Sequence, residues 1–98
     1  MQGFSKQPDE TYTIGIPFAG KLPAGATVLS GTVAAFDPSG ADVTGIVLAS
    51  PVVAIVNDEA RVRVLAGEHG VEYRLKFLVL LDNSDTLEED VVMTVENL

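Results

Sequence analysis

One segment limits the folds open to this chain more than any other: VEYRLKFLVLL, residues 71–81. Over its first half Tyr73, Leu75 and Phe77 alternate with Glu72, Arg74 and Lys76. Successive side chains of a strand point to opposite faces, so this half reads as a strand with one dry and one wet face. A helix would scatter the same apolar residues around its surface. The alternation then gives way to Leu78-Val79-Leu80-Leu81, which puts Leu78 and Leu80 on the side of the charged residues. Either a bulge near Leu78 shifts the phase, or a loop or another chain covers the two leucines.

The rest of the chain punctuates in the same way. TYTIGIPF places Tyr12, Ile14, Ile16 and Phe18 on one face, and Pro17, which cannot donate to a ladder, marks an edge strand. ATVLSGTVAAF reads as a second strand bent at Gly31. DPSG, residues 37–40, has the Asp, Pro and Gly positions of a type I turn. VTGIVLA reads as a third strand interrupted at Ser50-Pro51, VVAIV as a fourth strand or as the same one after the break, and NDE as a turn. ARVRVLA turns Val62 and Val64 in and Arg61 and Arg63 out; EDVVMTVENL closes the chain with Val91, Met93 and Val95 on one face. Short strands with a turn about every 8 to 12 residues, and no long apolar pattern at helical spacing, predict an all-β fold. We expect an immunoglobulin-like antiparallel β-sandwich of six to seven strands. Tyr73, just after GEHG at the head of an apolar strand, sits where the tyrosine of a tyrosine corner would.

A chain of 98 residues has room for one core. Residues 1–10 read as a flexible lead-in and residues 11–98 as the single sandwich domain. The formal charge of −8, from 14 acids against 6 bases, argues against nucleic acid and against an anionic membrane surface as partners. Cysteine is absent, which removes disulfides and thiolate metal sites. MQGFSKQPDE carries no apolar core of a signal peptide, so synthesis and folding in the cytoplasm of the producing cell are expected.

No constellation points to catalysis. His69 is the single histidine and has no nucleophile motif beside it. The acidic run DNSDTLEED has Leu87 where a calcium loop needs glycine and reads as a solvated hairpin. The glycines match neither a dinucleotide fingerprint nor a phosphate loop. A non-enzyme without cofactor or metal is the reading.

Three pieces in order, KQPDETY, LPAGATV and AGEHGVEYRLKFLVLLDNSDTLEEDVVMTVE, resemble a family of small phage fiber-tail adaptor proteins, virion components with an immunoglobulin-like fold. Members often carry a tryptophan in the second strand; this chain has GTVAAFD there, with Phe36 as the candidate replacement. The resemblance implies a structural protein of the virion, acting between tail and fiber through contacts with other virion or tail proteins, and it is compatible with a homo-oligomer. The alternative is an immunoglobulin-like binding module of a bacterial surface or carbohydrate-recognising system. The candidate contact residues are Lys6, Pro8, Asp9 and Glu10 in the lead-in, Pro17 on the edge strand, and Leu78 and Leu80; the lead-in is expected to order only on assembly.

Overall fold

The computed structural model describes residues 2–96. Met1, at the head of the expected lead-in, and residues 97–98, at the end of the expected last strand, lie outside the described residues. Among those described, seven strands form two sheets. They are β1 (Gln2–Lys6), β2 (Tyr12–Pro17), β3 (Val28–Phe36), β4 (Ala54–Val56), β5 (Glu59–Val64), β6 (Glu72–Leu81) and β7 (Thr86–Val95). The larger sheet runs β1-β7-β6-β3 and the smaller β2-β5-β4. The layers enclose one core in which Phe18, Val64, Leu75, Phe77, Leu81 and Met93 are buried. This is the expected all-β sandwich, antiparallel apart from one pair: β1 lies parallel to β7, with Phe4 opposite Met93.

The alternation of β6 never breaks. Tyr73, Leu75, Phe77, Val79 and Leu81 are all buried, and Glu72, Arg74, Leu78 and Leu80 all face out. The expected phase shift is therefore not on β6. It lies one strand over, where Val28 pairs with Leu81 but Ser30 pairs with Leu80, leaving Leu29 as an extra residue in β3. The bulge keeps Val28 and Gly31 facing inward while both residues between them are exposed.

Pro17 does sit on an edge strand, since β2 is outermost in its sheet. DPSG closes as expected: the Gly40 N–H donates to the Asp37 carbonyl at 2.9 Å. Asn57 and Asp58, both at positive φ, make the two-residue turn between β4 and β5, the geometry whose twist suits a tight hairpin.

Two expectations give way. VTGIVLA is not a strand: Thr44–Val47 forms one turn of helix, α1. The Asp42 carboxylate accepts from the Thr44 N–H at 2.9 Å and its hydroxyl at 2.6 Å, and the same hydroxyl accepts from the Ala35 N–H at 3.0 Å. These bonds turn the chain out of the first sheet, and Val43 and Val47 meet the core from a helix as well as they would from a strand. The lead-in, expected to be loose, forms β1. It pairs with β7, and Tyr12 of β2 anchors it from the other sheet, donating to the Ser5 carbonyl at 3.1 Å with its ring edge-on to Phe4.

Candidate interaction surfaces

Strand directions give the sandwich two poles. At one end gather the termini of β2 and β6, the starts of β3, β5 and β7, and the turns at residues 57–58 and 82–85. Asp58 ties the layers there: its carboxylate accepts from the Val28 N–H at 2.9 Å and its carbonyl from the Phe18 N–H at 3.0 Å. Lys21 pairs with Glu89, an acid at an inward position of β7. At the other end lie the turn at residues 37–40, α1, the loop at residues 65–71, and the turn after β1.

The candidate contact residues divide between these ends. Pro17 is exposed at the first pole, and Leu78 and Leu80 face solvent near it, 37% and 42% exposed. Lys6, Pro8, Asp9 and Glu10 are at the second. From Leu80 back to Glu72 the strand covers about 26 Å, in a body of 43 × 23 × 22 Å.

Lys6 is not on the surface. It is 2% exposed, and its ammonium donates to the carbonyls of Gln7 at 2.8 Å, Pro8 at 3.2 Å, and Ala66. Burial pulls its pKa below the ordinary lysine value, against the opposing pull of Glu10 and Asp9. A buried ammonium needs such acceptors, and here they clamp β1 and its turn onto the loop at residues 65–71. Glu10 closes that turn by accepting from the Gln7 N–H at 2.7 Å. Asp9 is exposed and Pro8 half-buried. The sequence shows no sign of Lys6 being internal, because a lysine before a polar turn is ordinarily solvated.

Tyr73 makes the tyrosine corner. Its ring is buried and its hydroxyl accepts from the Glu68 N–H at 3.0 Å, five residues upstream. Gly67 beside it has φ +102, and a Cβ there would come within 2.8 Å of Val95.

The other displaced titrations also belong to structure. Asp37 lies below the ordinary aspartate pKa because the Ser39 hydroxyl and then the Ala41 N–H bond its carboxylate. Asp42 is lowered by Thr44 in the same way. Tyr12 is raised by burial and by Glu10. His69 is exposed in the turn before β6. Among the described residues no three His, Cys, Asp or Glu side chains converge as a metal site would need, and no helix is long and apolar enough to cross a membrane.

The feature sequence reasoning missed is a concavity of about 790 Å³ on the outer face of the larger sheet. Its floor is Arg74, Lys76, Asp90 and Val92, and the turn at residues 37–40 walls one side. Phe36, the candidate for the missing tryptophan, is half-buried and lines this concavity instead of the core. The signal was present in part, as the pairing of acids on β7 with bases on β6, but which residues face each other depends on register.

A family model described as podophage GP4 fiber-tail adaptor protein gp77 matches residues 6–94. No curated protein matches the chain.

Proposed function

The chain belongs to the podophage GP4 fiber-tail adaptor protein family, and from that premise we propose that it is a non-enzymatic virion protein joining a tail component to a fiber component through protein–protein contacts. The observation that carries this reading is the extent of the match, which takes in the sandwich from Lys6 through nearly all of β7. The form of the molecule supports it. A connector has to present two separate surfaces on a body that does not deform between them, and the exposed candidates here lie toward opposite poles of one packed core. Pro17, Leu78 and Leu80 would serve one partner, and Asp9, Glu10 and Pro8 the other. Lys6 would act indirectly, by holding the second turn in place.

Two measurements test this. Mass spectrometry of purified particles should find the chain as a stoichiometric component, and electron microscopy of particles made without it should show tails that lack fibers. Absence of the chain from particles, or fibers still attached without it, would overturn the reading. A glycan array addresses recognition of carbohydrate at a bacterial surface, and specific sugar binding there would favour that role over the connector.

A further inference from the structure

The outer face of the larger sheet changes character along its length. Register places Val52, Thr32, Leu78 and Glu88 in one row across the strands and Ser30, Leu80 and Thr86 in the next. Val52, 63% exposed, lies across Thr32 from Leu78, so an apolar ledge with Thr32 in its middle lies where the solvent side of a sheet is ordinarily polar. In the neighbouring row toward the other pole, Lys76 faces Asp90 across the strands, yet its ammonium pairs with Glu88, 3.3 Å away. Asp90 Oδ1 is shielded from solvent and accepts no hydrogen bond from any described residue. The carboxylate as a whole lines the concavity, and with no donor to that oxygen among the described residues it would gain from a cation supplied there.

We propose that this face is the docking surface for an extended segment of another virion protein, which lays apolar side chains on the Val52–Leu78–Leu80 ledge and inserts a lysine or arginine into the concavity at Asp90. The proposal rests on the connector reading above and specifies one of its two contacts. Charge decides the occupant. Around the concavity, Asp37, Glu72, Glu88 and Asp90 outnumber Arg74 and Lys76, and the whole chain carries −8. A second copy laid on this face would bring acid against acid, whereas a basic, apolar segment is complementary to both halves. The ledge supplies apolar burial at the rim of the concavity, and the Asp90 carboxylate that lines it fixes register by accepting from one cation.

The test uses whole particles. A benzophenone side chain placed at Thr32, between Val52 and Leu78, is activated in particles containing the altered chain, and the cross-linked peptide is sequenced. The expected product is a segment of a different virion protein with a lysine or arginine within a few residues of the cross-link. A product with a second copy of this chain, with an acidic or uncharged segment, or no product at all overturns the proposal. If the chain is missing from particles altogether, the connector reading fails first and takes this surface with it; if it is present but Thr32 captures nothing, only this surface fails.

Serine at both leucines (Leu78→Ser with Leu80→Ser) should lower particle content about tenfold, the effect of losing one good apolar contact pair. The circular dichroism and melting of the free chain should stay unchanged. Asp90→Asn should release the chain from particles at lower salt than wild type. Arg63→Ala, on the outer face of the smaller sheet, should leave both readouts at wild-type values. Unaltered particle content in the double serine variant would count against the ledge.

Discussion

A single lysine shows how far a residue's role can lie from its type. Lys6 has the composition of a surface residue, but its ammonium holds three carbonyls of two loops together inside the second pole. Lys6→Met keeps the length of the side chain and removes the donors. It should cost about 2 kcal/mol in urea denaturation, the penalty for carbonyls left without partners. Tyr73→Phe removes only the bond from the Glu68 N–H and should cost about 1 kcal/mol by the same measurement. The paired turn carboxylates give a pH signature. Asp37 and Asp42 both titrate below the ordinary value near 3.8 in the folded chain. Their contribution to stability is therefore present above that value and lost as pH falls through their lower folded values. Carboxyl NMR titration should find both midpoints below that of an unstructured aspartate, and Asp37→Asn should flatten the acid limb of the stability profile.

Among the elements, the strands that alternate cleanly were legible and those whose geometry depends on a neighbour were not. The inward residues of β2, β5, β6 and β7 follow directly from period two, because one face is buried and a one-residue slip would expose it. The helix α1 escapes this logic. Four residues hold too little periodicity to tell a buried helix from a buried strand, and hydrogen bonds from Asp42 and Thr44 decide the matter. β1 escapes for a different reason. Five mostly polar residues gain little from local propensity, and their order comes from β7 on one side and Tyr12 on the other.

The crossover between layers lies at Gly31. Residues 52–53 run beside β3 before β4 joins β5, and the Val53 N–H donates to the Gly31 carbonyl at 3.1 Å. A Cβ at Gly31 would lie 2.7 Å from Val53 Cγ2 and 3.0 Å from Val79 Cγ1. Gly31→Ala should then cost about 1–3 kcal/mol through overpacking, with NMR shift changes concentrated at Val53 and Val79.

For the molecule as a whole, a core shared by both layers makes neither sheet stable alone. The two tyrosines report on the two layers, Tyr12 on the smaller sheet and Tyr73 on the larger. With no tryptophan to mask them, their emission and the far-UV circular dichroism should trace one superimposable unfolding transition. Two separated transitions would mean that the sheets part independently.

By itself the amino-acid order determined the two-layer extended fold, most of its inward residues, its main turns, and the family. Each of these depends on local alternation, turn chemistry or short motifs carried within one stretch of chain. Tertiary structure alone decided that Lys6 is internal, that Phe36 leaves the core for the outer concavity, and that Leu78, Leu80 and Val52 share one ledge. Those outcomes depend on which strand lies beside which and in what register, and long-range pairing sets that register.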